Sequence, residues 1–293
     1  MKLLVTVPIN EIDVYDMDRM KSTPPDAKPA EAPEKSAPAK AAVAGSQTLL
    51  RGLDLLEAVV VRPASLSALS KQLGINRSTV HRLASALVDR GYMKLVTGEG
   101  YMLGAKLLEL GHAARCQISL PRVARPFLES LCETTGDAVH LGVLYDEKAL
   151  YLDKLSGARR IEIGSRVGER HPLCSTGLGK SLLLDQSEME WLERFQNEHG
   201  PCAPDDPGFV DWRNQMRGYS AGGYAFDLEE NEDRVRCIGA PIRDETGAVV
   251  AAISVSSVAQ YMSEARMAEL IETVTGTANA ISREIGWSGQ RKQ

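Results

Sequence analysis

The chain has 293 residues, 43% of them hydrophobic and 25% charged, with a formal net charge of −5. That length is enough for two ordinary domains of roughly 100–200 residues each, and the composition is that of a soluble globular protein. No apolar run reaches the ~18 residues that a membrane span needs. An acidic total argues against nucleic acid as a partner, but the charge is unevenly spread. Residues 46–115 hold nine Lys and Arg against five Asp and Glu, whereas residues 116–293 hold nineteen against twenty-seven. A small basic module therefore precedes a larger acidic one, and only the first would attract DNA.

Residues 1–45 open with MKLLVTVPI, too short for a signal peptide and followed by acids rather than a cleavage site. The Pro-, Ala- and Lys-rich stretch after it cannot form a core and is expected to be a disordered tail. Over residues 48–60, TLLRGLDLLEAVV, helical spacing places Leu49, Leu53, Leu56 and Val60 on one stripe, expected to pack beneath the two helices C-terminal to it. Residues 66–93 read as those two short helices, with a tight turn at Gly74. Asn76 is a good N-cap for the second helix, and Gly91 is its stop. Val80, Leu83, Ala84 and Leu87 form its apolar face. The other face carries Arg77, Ser78, His81, Arg82 and Ser85, with no acid before Asp89. A solvated surface helix is the bland alternative; a helix-turn-helix presenting donors to a major groove suits the pattern better, with Asn76, Arg77, Ser78, Thr79, His81, Arg82 and Ser85 as the DNA-contacting candidates. Two β-prone runs around Thr97-Gly98-Glu99-Gly100 add a hairpin, which makes the module, 46–103, a winged helix-turn-helix.

Residues 104–118 read as a helical linker whose stripe of Leu107, Leu110 and Ala114 requires a partner. A second copy of the chain would serve, and a homodimer would read a pseudo-palindromic operator. From 119 to 286 helices and hairpin-joined strands are mixed. Helices are expected over 121–135, 177–184, 188–196, 207–216 (ending at Gly218) and 260–285. Strands are expected over 139–144, 149–155, 160–165, 224–227, 235–242 and 249–256. This is an α+β domain on a largely antiparallel sheet, with 287–293 as a C-terminal tail.

Five scattered cysteines (116, 132, 174, 202 and 237) contain no CxxC pair, so no disulfide framework or zinc finger is expected, and a reducing, cytoplasmic setting fits. His171 and Cys174 lack enough companions for a metal site. Gly179-Lys180-Ser181 ends like a P-loop, but position 174 is Cys rather than Gly and no hydrophobic strand precedes it, so no nucleotide cofactor is expected. Ser175 or Thr176 can cap a helix whose first amides would form an anion site; a capped helix packed closely through its glycines is the alternative. Ser254 and Ser256 are two apart on a strand and share a face. Their hydroxyls need partners, whether backbone, solvent or a ligand. Asp227 reads first as a turn residue and Cys237 as core. No nucleophile–base pair or paired carboxylates point to catalysis.

These segments together resemble the IclR family of bacterial transcription regulators. The motifs are SQTLLRGLDLLE at 46–57, NRSTVHRLASALVDRGY at 76–92, YMLG at 101–104, GERHPLCSTGLGKSLL at 168–183 and GYAFDLEENEDRVRCIGAPIRDETGAVVAAISVS at 223–256. The resemblance implies a GAF-like effector-binding domain behind the winged helix, and dimers or dimers of dimers on operators near catabolic genes. It also implies an effector site at Gly177, Leu178, Asp227, Cys237, Ser254 and Ser256. A site rich in donors, with Asp227 as acceptor, would take a small carboxylate bearing a hydroxyl or keto group. Two departures stand out: Arg234 occupies a place where the family more often has Gly, and Cys174 one where it usually has His, which would alter polarity at the pocket edge. An enzyme with an incidental basic module is the competing reading.

Overall fold

A computed structural model describes residues 46–289. The tail expected over residues 1–45, and residues 290–293, lie outside the described residues.

The basic module is three helices, α1 (Gln47–Ala58), α2 (Leu66–Leu73) and α3 (Arg77–Asp89), closed by the hairpin β1 (Met93–Val96) and β2 (Gly100–Leu103). Its punctuation is that of the sequence. Ser65 and Asn76 cap α2 and α3, and Gly74 ends α2 in the left-handed conformation. Ala64 pairs with Tyr101, adding a third short segment to the hairpin. Gly100 is required there, because a Cβ would lie 2.5 Å from the Ala64 carbonyl oxygen. The core is Leu55, Val59, Leu69, Val80, Leu83, Ala84, Met93 and Tyr101. The expected stripe on α1 is therefore misplaced. Leu55 and Val59 face inward, whereas Leu49, Leu53 and Val60 are 65%, 45% and 63% exposed. In a Leu-rich helix, two adjacent stripes fit the same spacing, and only the packing of α2 and α3 selects between them.

Helix α4 (Lys106–Gln117) buries no residue among those described; Leu108 and Leu110 are exposed and Leu107 is half-buried.

Helix α5 (Leu120–Thr135), ended by left-handed Gly136, leads into a six-stranded antiparallel sheet. In chain order its strands are β3 (Ala138–Tyr145), β4 (Lys148–Leu155), β5 (Arg170–His171), β6 (Ala225–Leu228), β7 (Val235–Arg243) and β8 (Val249–Val258), arranged β5-β4-β3-β8-β7-β6. Helices α5 and α9 (Glu264–Glu284) cover one face. Helices α6 (Gly177–Leu182), α7 (Glu188–His199) and α8 (Pro207–Gly222) cover the other. Because both faces are covered, β8 is buried almost throughout.

Three expectations are corrected. Residues 160–165 form no strand; they belong to an open loop, because the edge of β4 is taken by Arg170–His171 instead. Helix α8 runs through Gly218 and ends at Gly223, which adopts the left-handed conformation that Gly218 does not. The last helix starts at Glu264, capped by Ser263, after a short 3-10 turn over Ala259–Tyr261.

Candidate functional site

Two sites emerge, one on each module. On α3, Arg77, Ser78, His81 and Arg82 are exposed, and Thr79 and Ser85 half-buried. Asn76 is committed to the cap: its side-chain oxygen accepts from the Thr79 amide at 2.8 Å and from the Ser78 hydroxyl at 2.9 Å. No ion pair within the described residues engages Arg77 or Arg82, so two guanidinium groups stand free on a face with no acid beside them. Such an arrangement can bond bidentately to base edges or to phosphates.

In the second module, a cavity of about 270 Å³ opens against the α6 face of the sheet. Its floor is a row across three strands. Asp227 on β6 faces Cys237 on β7, which faces Ser256 on β8. Beside the row, His140 sits between two hydroxyls, Ser165 at 2.7 Å from Nε2 and Ser256 at 3.4 Å from Nδ1. Its ring tilts against Tyr151 at 4.9 Å, and Tyr151 stacks on His171 at 4.3 Å. Glu169, Thr176, Asn231 and Glu232 complete the polar lining. The loop 156–169 closes one side. It is held by Arg159 on fully buried Asp137 at 3.0 Å, and by Lys154, which donates to the carbonyls of Ile163 and Ser165 at 2.6 Å. A larger cavity of about 380 Å³ lies between β7, α9 and the end of α8. Its lone ionised group, Arg243, is already paired with Asp185, so it lacks convergent chemistry.

Burial sets the protonation of the floor. It pushes the Asp227 carboxyl up to about 6, against the opposing pull of the Glu230 backbone N–H. Burial lowers His140 to about 3, with Lys154 and His171 adding to the effect, so its ring is neutral. The Cys237 thiol is pushed up by burial and then by Asp227, which leaves it an inert thiol rather than a nucleophile.

Of the effector residues expected from the sequence, Asp227, Cys237 and Ser256 line the cavity. Gly177, Leu178 and Ser254 do not, and the cause is α6 itself. It sits so close to β7 that a Cβ on Gly239 would lie 2.5 Å from the Gly177 carbonyl oxygen. Ser254 pairs with Gly239 in the sheet, under that contact, and its hydroxyl is buried without a hydrogen-bond partner. Thr176 uses its own hydroxyl to cap Gly179 at 2.9 Å. Lys180 is fully buried, paired with Glu230 and placed 5.7 Å from the Tyr219 ring centre; it holds the fold rather than a phosphate. Cys174 lies in the core under α8, where the Trp212 indole donates to its carbonyl at 2.8 Å, and not at the pocket edge. Arg234 adopts φ 63°, a conformation natural to glycine and strained for Arg. His140, Tyr151, Glu169 and His171 are among the lining residues that the sequence did not assign to the site. Alternation along β3 and β4 marks His140 and Tyr151 as candidates for one face, but pairing alone brings them together.

Among the described residues no group of three or more His, Cys, Asp and Glu could hold a metal ion, and no helix is long and apolar enough to cross a membrane.

A winged helix with a free basic recognition face, followed by a domain with a polar cavity, defines a DNA-binding regulator that carries its own ligand domain. Comparison with known proteins sharpens this. Residues 48–94 match the IclR helix-turn-helix domain, and residues 112–283 match the bacterial transcriptional regulator IclR C-terminal domain. The chain belongs to the IclR family of bacterial transcriptional regulators. It is 31% identical over 251 residues to the HTH-type transcriptional regulator XynR of Escherichia coli (strain K12), covering 82% of this chain and 98% of that one. It is 32% identical over 257 residues to the DNA-binding transcriptional repressor YiaJ of the same organism, covering 84% and 90%. Among solved structures, Pseudomonas aeruginosa HmgR superposes with a TM-score of 0.72 at 24% identity, over 83% of this chain and all of that one. The Agobacterium tumefaciens repressor BlcR gives 0.70 at 23%, over 84% and 99%. These two share the fold. The enzyme reading is set aside, since the similar curated proteins are transcription regulators.

Proposed function

We propose that this regulator binds a pseudo-palindromic operator as a homodimer, or as a dimer of dimers, and that a small effector in the cavity beneath loop 156–169 modulates that binding at catabolic genes. The observation that carries the reading is the pairing of a free Arg77–Arg82 face with a polar cavity on one chain. We assign the winged helix to 46–103, the linker to 104–118 and the effector domain to 119–286, in keeping with the separate cores of the two modules. On α3, Arg77, Ser78, Thr79, His81, Arg82 and Ser85 meet the DNA, with Asn76 holding the helix start. The exposed apolar surface on α1 and α4 supports association of two copies, because Leu53, Leu108 and Leu110 otherwise remain in water. In the cavity, Asp227, Cys237 and Ser256 form the floor. An effector acts only by binding the DNA-competent and DNA-incompetent arrangements unequally. Gel retardation on the DNA upstream of its own gene, over a salt series and with candidate effectors, tests the reading. Salt-dependent, sequence-selective retardation that an effector changes supports it; indifference to sequence or to every cavity ligand rejects it. Light scattering at micromolar concentration tests assembly, and a monomer with full operator affinity rejects the dimer.

A further inference from the structure

The small carboxylate expected from the sequence meets the wrong charge in this cavity. Three lining residues, Glu169, Asp227 and Glu232, are carboxylic acids, and no lysine or arginine is among the lining. The nearest lysines are spent: Lys154 on the Ile163 and Ser165 carbonyls, and Lys180 on Glu230. His140 is neutral. The first turn of α6, the other expected anion holder, lies outside the lining. An anionic ligand would add a negative charge beside these acids, with no lysine or arginine in the lining to offset it.

The lining also contains donors. The His171 Nε2 is buried and has no hydrogen-bond partner, 3.5 Å from the Glu169 carboxylate. The Tyr151 hydroxyl takes no hydrogen bond within the described residues, and its ring forms a stacked wall with His171. A ligand matched to acids and donors at once must both donate and accept, which hydroxyl groups do and an ammonium group does not. Its C–H face can lie on the aromatic wall.

We propose that the cavity selects an uncharged, polyhydroxylated ligand of sugar or sugar-alcohol type over the corresponding acid, with Asp227 and Glu169 accepting its hydroxyls. This rests on the reading of the cavity as the effector site. The test is a thermal-shift and calorimetric screen of the full chain against matched sets: aldopentoses, aldohexoses and their alditols, the aldonates and uronates of the same carbon number, and the amino sugars. Binding is expected among the neutral members alone. Glu169→Gln and Asp227→Asn are each expected to weaken it about 5- to 10-fold, whereas an acid would bind more tightly to the neutralised variants. Glu169 sits at the half-exposed rim, so that variant remains informative if Asp227→Asn fails to fold. Hits confined to acids or amino sugars, no hit in any set, or affinity unchanged or tightened in Glu169→Gln would overturn the proposal. If an acid binds and alters operator retardation, the ligand class is wrong and the effector reading stands. If a neutral ligand binds through these carboxylates but leaves retardation unchanged, the ligand class stands and the effector reading falls.

Discussion

The two modules treat polar groups in opposite ways. The winged helix buries an apolar core and turns its charged groups outward, leaving Arg77 and Arg82 unpaired on one helix. The effector domain draws ionisable groups inside: Asp137, His140, Lys180, Asp227 and Arg243 are all nearly or fully inaccessible. Most of these are satisfied. Asp137 takes Arg159, Arg266 and the Ser257 hydroxyl, and Arg243 takes Asp185 on both of its terminal nitrogens. One module thus presents a basic face to solvent, and the other encloses a polar cavity. A recognition surface can sit on a single helix, whereas a polar interior needs partners from many elements.

Four experiments put this contrast at risk. The largest effect is expected in the small core. Leu55→Ala should cost about 2–5 kcal/mol in denaturant unfolding, because Leu55 is fully buried. Leu53→Ala, on the neighbouring stripe, should stay within about 0.5 kcal/mol for a monomer. Equal losses in a monomer would show that the inward stripe of α1 is misassigned, while a Leu53 loss that depends on protein concentration would place it in the dimer interface.

The second concerns the acidic interior. Asp227 is raised to about 6 by burial, so between its unfolded value near 4 and that value the folded state binds the extra proton. Its contribution therefore weakens stability as pH rises through this window, by about 3 kcal/mol in all. Cys237, Tyr151, Lys180, Glu230, Glu169 and Glu232 surround or neighbour it. Of these, Lys180 favours the charged form and Glu230 opposes it. Relative to wild type, Asp227→Asn should gain stability between pH 4 and pH 7. A difference that stays flat across that range would mean the carboxyl is solvated.

The third effect is on DNA. Arg82→Ala should weaken operator binding by about 1–3 kcal/mol if the guanidinium reads a base. An equal loss on operator and non-operator DNA would make it a phosphate contact. The smallest effect is expected at Ser254, whose buried hydroxyl has no partner. Ser254→Ala should be neutral or stabilising by under about 1 kcal/mol, and cavity-ligand affinity should not change. A lost ligand response would place Ser254 in the site after all.

The helix-turn-helix was legible in the sequence because its signals are local. Asn76, Gly74 and Gly91 punctuate the helices within a few residues, and the polar face of α3 repeats at helical spacing. Asp227, Cys237 and Ser256 were marked there too, two of them as residues whose bland readings were turn and core. Everything that depends on partners distant in the chain had to wait for the packed molecule. The inward stripe of α1 was chosen by α2 and α3, not by its own periodicity. The loop 156–169 is held by Asp137 and Lys154 rather than by a ladder. The cavity takes His140 and Tyr151 from a hairpin and His171 from an edge strand beyond loop 156–169 whose pairing no local pattern encodes, and α6 seals Ser254 away from it. The charge lining the cavity obeyed the same logic: each carboxylate was visible in the sequence, but only the packing of strand β6 with two loops brought Asp227, Glu169 and Glu232 to one space with no lysine or arginine among the lining.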